Sequence, residues 1–306
     1  MNRNSEPFSF INDQGIALIQ VLLLSSIISI LAIRFTETAQ DQISMAESFE
    51  NRVRVQLKAQ SVVNEIIFLL LSDSFTLRSS DRISVIDAFI DEEPFKFHGE
   101  SISWGAGVTL QTQDLNGLLP QLFPKNELWR RVLLRRGLTE AEVARYIGVW
   151  SDMQDADNLS WSEGEFEPTA LPNGGSYMNG FAQNEIVMRW VFEDKPQLLS
   201  FLLPLSNVNA FYETNLLNSP DALLSALFDS PTASSIMDIR SRGRLAESEL
   251  RSLLPEDIDM NKLQFGNSGR LRIHVEVKSG DITWKEKRTI RLMASSDPPY
   301  QVWLNN

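Results

Sequence analysis

Apolar residues fill nearly every position from 16 to 33, where the sequence reads IALIQVLLLSSIISILAI and carries no charge. A helix of this length rises about 27 Å, close to the thickness of the hydrocarbon core of a bilayer. Helices in soluble proteins are rarely apolar on all faces over such a length. The pattern therefore predicts one transmembrane helix, and no comparable stretch occurs elsewhere in the sequence.

The apolar pattern narrows to a stripe after Arg34 but does not end there. Neither Gly nor Pro occurs between Ile16 and Leu71, and polar residues fill the faces beside the stripe. Its spacing of mostly three or four positions is that of one helix face. We predict a continuous helix over 16–71, whose second half packs against a domain. The stripe consists of Ile43, Ala46, Phe49, Val53, Leu57, Val63, Ile67 and Leu70.

The pattern near the C-terminal end has a period of two. Residues 271–279 and 282–292 alternate between apolar and polar, and Gly280-Asp281 separates them. This arrangement predicts a β-hairpin. We expect 300–304 to add a third strand, and the segment 101–111 is also strand-like.

The intervening region is mainly helical in pattern. Thr139 followed by Glu142 forms a capping-box signature before an apolar run. Upstream, the segment 128–138 reads LWRRVLLRRGL and places Arg131 and Arg135 one helical turn apart. Such a run either contacts an acidic partner or forms the solvated face of a helix whose leucines lie in the core.

Composition restricts the chemistry. The chain of 306 residues has 28 Lys and Arg against 40 Asp and Glu, for a net charge of −12, so nucleic acid is not an expected partner. It has no cysteine and two histidines, His98 and His274, which excludes thiolate nucleophiles and thiolate metal sites. Neither histidine has a sequence partner for catalysis, and we assign neither a role. We predict no enzymatic activity.

The N-terminal segment resembles the class III leader and first helix of type IV pilins and pseudopilins. A short polar leader ends in Gly15, and the apolar helix begins at Ile16. The resemblance implies that a prepilin peptidase cleaves between these residues and that the new terminus is methylated. Gln20 occupies the fifth mature position, where most members of the family have a Glu that pairs with the terminal amine of the subunit ahead. The resemblance therefore implies that Gln20 removes this pairing requirement. A missing Glu in so long a chain resembles the K-type minor pseudopilin, general secretion pathway protein K.

Downstream segments resemble the same family in the same order. The run 108–122 is similar to a K-type strand and turn with Asp114 and Gly117. Trp150 precedes an aspartate cluster, and 206–210 is similar to an Asn-Val-Asn turn.

The resemblance implies an α+β fold in which a long N-terminal helix packs on an antiparallel sheet and a large, mainly helical domain is inserted. The expected divisions are a leader at 1–15, an N-terminal helix at 16–71 with its transmembrane part at 16–33, the first part of the pilin-like domain at 72–117, the inserted domain at 118–260, and the C-terminal β part at 261–306.

The implied function is that of a tip subunit of the type II secretion pseudopilus, which takes part in pseudopilus initiation and protein export across the outer membrane. The implied partners are I-type and J-type minor pseudopilins. The protein is expected to cross the inner membrane once, with a periplasmic C-terminal domain. The alternatives are a membrane-anchored extracytoplasmic enzyme or sensor, and a minor subunit of a type IV pilus.

The segment 151–167 is strongly acidic and contains no basic residue. Its carboxylates are the hard oxygen ligands that calcium prefers, but their spacing does not fit an EF-hand. The resemblance adds weight because K-type relatives bind calcium in this domain, although their Glu-Asp pair is replaced here by Gly175-Ser176. No cofactor is required. We expect either a calcium site or a solvated acidic loop, and the candidate ligands are Asp152, Asp155, Asp157 and Glu163.

Overall fold

The computed structural model describes residues 13–72, 96–157, 159–160, 180–242, 247–293 and 296–303, with the backbone alone at 13–16, 247 and 303. The chain divides into two compact units, Met1–Val55 and Gln56–Asn306. Most of the predicted leader, much of the predicted segment 72–117, and the acidic segment from 161 onward lie outside the described residues.

The first element is the long helix α1, Asp13–Ser72. Its length follows from the lack of Gly and Pro between Ile16 and Leu71, since these residues most often interrupt a helix. The predicted continuous helix is confirmed, with bounds that differ by one to three residues from those expected.

The predicted packing of the helix is confirmed only near its C-terminal end. Within the second unit, α1 buries a face at intervals of three and four residues. Ile43, Phe49 and Leu57 belong to the predicted packing stripe but are 59%, 70% and 57% exposed. The prediction was wrong for Leu57, the one of these three that lies in the second unit, because periodicity shows that a helix has an apolar face but not what covers it. The buried face consists of Ala59, Val62, Val63, Ile66, Ile67, Leu69 and Leu70.

A five-stranded sheet forms the second layer, and all its neighbouring strands are antiparallel. Its strands are β1 (His98–Ser103), β2 (Val108–Asp114), β5 (Arg270–Ser279), β6 (Ile282–Leu292) and β7 (Tyr300–Trp303). One face is apolar and buried, with Ile102, Leu110 and alternate residues of β5. Lys58 Nζ on α1 donates to the Ala106 carbonyl in the β1–β2 turn at 3.0 Å, which joins the helix to the sheet. The strands lie in the order β1-β2-β5-β6-β7.

The predicted hairpin and third strand are confirmed as β5, β6 and β7. Ser279 pairs with Ile282 across a turn that begins with Gly280, whose φ of 57° favours glycine. The segment 101–111, expected to be strand-like, belongs to two strands with a turn between them. Gly105 and Gly107 both have positive φ in this turn.

The chain between the neighbouring strands β2 and β5 forms a mainly helical part. Its elements are α2 (Glu127–Arg135), α3 (Glu140–Asp152), α4 (Ile186–Val191), α5 (Pro196–Leu202), α6 (Asp221–Leu227), α7 (Ser230–Ser241) and α8 (Glu247–Leu253), with a short parallel pair formed by β3 (Leu119–Pro120) and β4 (Ser206–Asn207). The pilin-like α+β fold with an inserted helical part is therefore confirmed.

Aromatic side chains fill the core of the helical part. Trp129 and Trp150 are fully buried, and their rings pack edge to face with centroids 4.7 Å apart. Phe192 packs against Trp150 in the same manner at 5.8 Å. Contacts of this kind stabilise the core in addition to the stabilisation that each ring gains by burying its large apolar area. The predicted capping box between Thr139 and Glu142 begins α3.

The arginines of the basic run contact their own chain. Arg131 Nε donates to the Leu227 carbonyl at 2.8 Å, and an Arg135 guanidinium nitrogen donates to the Phe228 carbonyl at 2.7 Å. These carbonyls lie at the C-terminal end of α6, where backbone acceptors lack partners within the helix. Leu128 and Leu133 are buried. The interpretation of a helix with core leucines is thus correct, and two of its arginines bind the end of a neighbouring helix.

The sheet joins the helical part at a buried carboxylate. Asp114 ends β2, is fully buried, and accepts hydrogen bonds from Asn116 N at 3.1 Å, Asn218 Nδ2 at 2.8 Å and Ser268 N at 3.1 Å, and another from the Ser268 hydroxyl. Burial raises the pKa of Asp114, whereas these hydrogen bonds lower it. Because an unpaired buried carboxylate is costly, the donors hold three distant segments together.

Gly117 lies beside this carboxylate at a point where two backbone segments nearly touch. A Cβ at this position would lie 2.1 Å from the carbonyl oxygen of Asn218 and 2.5 Å from its carbonyl carbon. Since these are backbone atoms, a side chain cannot be accommodated by rotating a neighbouring residue. Glycine is required here by space.

We expect Gly117→Ala to lower the free energy of unfolding by about 3 kcal/mol, because the two backbones must separate. Urea unfolding of the full chain in detergent, followed by tryptophan fluorescence, measures this loss. Gly105→Ala is the matched control, since its Cβ meets no heavy atom within 4 Å. We expect Gly105→Ala to lower the free energy of unfolding by about 1 kcal/mol, because the positive φ of Gly105 is unfavourable for alanine. Equal losses in the two variants would contradict the close approach.

Candidate functional site

The first part of α1 exposes a continuous apolar surface. Large apolar side chains from Leu18 to Ile33 are between 46% and 65% exposed. Within the described residues, α1 is the one helix long and apolar enough to cross a membrane, and its most apolar window has a mean hydropathy of 2.2 with none of it buried. Because exposing so much apolar area to water is unfavourable, this surface requires lipid or other helices around it.

The polar side chains within this segment are compatible with an apolar environment. Ser25 donates its hydroxyl to the Leu22 carbonyl at 3.0 Å, and Ser29 donates to the Ser25 carbonyl at 2.8 Å. These two bonds give the hydroxyl protons of Ser25 and Ser29 backbone acceptors, which hydrocarbon surroundings demand. The first charged pair beyond the segment is Arg34 with Glu37, at 3.1 Å and exposed. The segment therefore has the features of a single-pass anchor.

The predicted cleavage residues lie in the first turns of α1. Gly15 and Ile16 have helical backbone, and Gln20 is exposed one turn later among apolar neighbours. Cleavage between Gly15 and Ile16 stays a prediction. So does the role assigned to Gln20.

Three of the four candidate calcium ligands lie in one turn at the end of α3. Asp152 is buried and accepts a hydrogen bond from the Ser160 hydroxyl at 3.3 Å, while Asp157 Oδ1 accepts from the Leu159 amide at 2.9 Å. Asp155 has one carboxylate oxygen, Oδ1, that is buried without a hydrogen-bond partner among the described residues. Glu163, the fourth candidate, lies outside them.

Electrostatics shows that these carboxylates are close enough to repel one another. Burial raises the pKa of Asp155, and the negative charges of Asp157 and Asp152 raise it further. Lys125 has a smaller, opposite effect. A cation would relieve this repulsion and would partner the buried oxygen of Asp155. Yet no three Asp, Glu, His or Cys side chains within the described ranges are grouped as metal ligands, so these residues meet part of what calcium requires.

The remaining candidate residues from the sequence lie in the core, in a short strand or in a turn. Trp150 lies in the aromatic core, and the 206–210 segment contains β4 followed by a turn in which Asn207 Oδ1 accepts from the Asn209 amide at 2.8 Å. His98 is mostly buried, and burial together with Arg240 lowers its pKa to about 4, so it is neutral near pH 7. Its Nε2 lies 3.6 Å from Glu100 Oε2, which is too far for a hydrogen bond.

Comparisons with known proteins support the fold. No family model and no curated protein matches the sequence. A chain in the crystal structure of the GspK-GspI-GspJ complex from the type 2 secretion system of enterotoxigenic Escherichia coli is similar to it in structure, with a TM-score of 0.51 and 14% identity. The match covers 83% of this chain and 98% of that chain. The two therefore share a fold over most of their length.

Proposed function

We propose that this chain is a K-type minor pseudopilin at the tip of a type II secretion pseudopilus, where it takes part in pseudopilus initiation and protein export across the outer membrane. The observation that carries the proposal is the joint presence of an exposed apolar N-terminal helix and a helical part inserted between adjacent strands of a pilin-like sheet. Similarity in fold to a chain of the GspK-GspI-GspJ complex supports it. The role is structural rather than catalytic.

Assembly begins at the N-terminal end of α1. A prepilin peptidase removes residues 1–15 and leaves Ile16 as the new terminus, which is then methylated. The apolar surface from Leu18 to Ile33 anchors the protein in the inner membrane before assembly and packs against neighbouring subunits afterwards. The C-terminal domain lies in the periplasm.

Gln20 explains why this chain occupies the tip. In the related subunits a Glu at this position pairs with the terminal amine of the subunit ahead, since a charge at membrane depth needs a partner. A tip subunit has no subunit ahead of it, and the neutral Gln20 needs no such amine. The inserted helical part adds bulk that the shaft of a filament cannot accommodate but the tip can. Its partners are I-type and J-type minor pseudopilins.

Calcium binding at Asp152, Asp155, Asp157 and Glu163 is a separate proposal. It is supported by the repulsion among the first three carboxylates and by the buried oxygen of Asp155 without a partner. Bound calcium would supply positive charge at this turn and stabilise the helical part around α3. Assembly at the tip does not depend on this site being occupied.

Co-expression with a prepilin peptidase tests the assignment first. We expect N-terminal sequencing and intact mass to give a terminus at Ile16 that appears only with the peptidase. Gly15→Val should abolish this cleavage because the added side chain obstructs the scissile bond, whereas Gln14→Ala should leave it intact. A retained Met1 in the presence of active peptidase would contradict the pilin-like class and would favour an anchored enzyme or sensor.

Gln20→Glu tests the tip position. We expect it to reduce recovery of the complex with I-type and J-type subunits after membrane extraction, because an unpaired carboxylate within the bilayer costs about 3 kcal/mol. Gln20→Leu keeps the position uncharged and should give wild-type recovery. Improved recovery with Gln20→Glu would show that a subunit lies ahead, which is incompatible with the tip.

Thermal unfolding of the full chain in detergent tests the calcium proposal. Since the raised pKa of Asp155 makes its ionised form unfavourable in the folded state, stability falls as pH rises from about 4 through that pKa. With EDTA at pH 7, Asp155→Asn should therefore raise Tm, and near pH 4 the difference should vanish. Calcium should raise the Tm of the wild type and not that of the variant.

Asp281→Asn is the control for the calcium experiment, because it removes the same charge from an exposed turn. It should show neither effect. A calcium response that Asp155→Asn leaves unchanged would overturn this ligand assignment without affecting the assignment to the tip.

A further inference from the structure

The exposed face of the β5–β6 hairpin carries a group of basic residues. Alternate residues of β5 from Leu271 to Val277 are buried, so Arg272 and His274 point to the opposite face. Lys287 on β6 is the register partner of His274, and Lys285 is that of Glu276, which places both lysines on this face. We call Arg272, His274, Lys285 and Lys287 the basic sheet face.

The positive charge on this face is poorly neutralised. Glu276 pairs with Lys285 at 3.1 Å. In the described ranges, no residue forms a hydrogen bond or an ion pair with the side chains of Arg272, His274 or Lys287, and Arg272 Nε is buried without a partner. Glu185, just before α4, acts on Arg272 and Lys287 through its charge alone.

The cations of the face repel one another. Burial lowers the pKa of His274, and Lys285 and Lys287 lower it further, against an opposing effect of Glu276. Burial and Arg272 lower the pKa of Lys287, against an opposing effect of Glu185. Each shift means that the folded chain disfavours positive charge at that position. An added anion would remove this penalty.

The face also differs in sign from the chain as a whole. Because the chain has 40 acidic and 28 basic residues, its composition does not predict a group of cations on one side of a hairpin. The neighbouring strand β2 presents Gln111 opposite His274 and Thr109 opposite Glu276, which adds neutral hydrogen-bonding groups. The result is a polar face that extends over three neighbouring strands.

We propose that the basic sheet face is a docking surface for an acidic segment of another protein. Cations two residues apart on one strand are separated by about 7 Å, and carboxylates two residues apart on an extended segment have the same separation. Such a segment places one carboxylate near Lys285 and the next near Lys287, whose charge also acts on Arg272. The proposal goes beyond assembly at the tip, which uses α1, and holds whether or not that assignment is correct.

The test uses the full chain in neutral detergent and a fluorescein-labelled octaglutamate peptide as the probe. Fluorescence anisotropy should show binding that weakens as salt rises, because the contacts are exposed charge pairs. Lys287→Glu should weaken binding about tenfold. It should also raise Tm, since the new carboxylate lies beside Arg272. Lys287→Gln should give a smaller loss of binding in the same direction.

Lys125→Glu is the matched control, because it makes the same charge change at an exposed lysine outside the sheet. Its affinity should stay within about twofold of the wild type. Equal losses in Lys125→Glu and Lys287→Glu would overturn the proposal, as would failure of the peptide to bind. Inorganic phosphate or short-chain phosphatidylglycerol that binds in place of the peptide, with the same sensitivity to Lys287→Glu, would show a phosphate or lipid site instead.

Discussion

The close approach of two backbones beside a buried carboxylate holds the larger unit together. Gly117 leaves no room for a side chain against Asn218, and Asp114 next to it gathers donors from Asn116, Asn218 and Ser268. The carboxylate keeps β2, the segment just before α6 and the approach to β5 in one arrangement. Without it, a helical part inserted between adjacent strands would have fewer fixed points, since only its two ends are covalently tied to the sheet.

Elements with a strong period could be predicted from the sequence. The helix α1 and the hairpin β5–β6 follow directly from spacings of three to four and of two. The junction at Asp114 could not be predicted from local pattern, because its donors come from residues more than 100 positions away, at Asn218 and Ser268. The resemblance to the K-type family indicated Asp114 and Gly117, but it did not indicate that Asn218 and Ser268 contact them.

Surface roles were harder to predict than elements. The stripe after Arg34 predicts an apolar face, but Leu57 is exposed because the period of a pattern does not specify what covers the face. The basic run shows the reverse case, since Arg131 and Arg135 were candidates for a partner surface and instead bind the end of α6. No role was predicted for the basic residues of the hairpin, although their alternation with apolar residues already places them on one face.

The apolar surface of α1 and the basic sheet face favour different kinds of interaction, and this difference separates their roles. The apolar helix surface from Leu18 to Ile33 is stabilised by any low-dielectric surroundings, lipid or helix, so it favours association without specifying a partner. The basic sheet face gains only from an anion at matching positions, and water and salt compete with that gain. A chain with both can be held in a membrane or filament by the first surface and can select an acidic partner by the second.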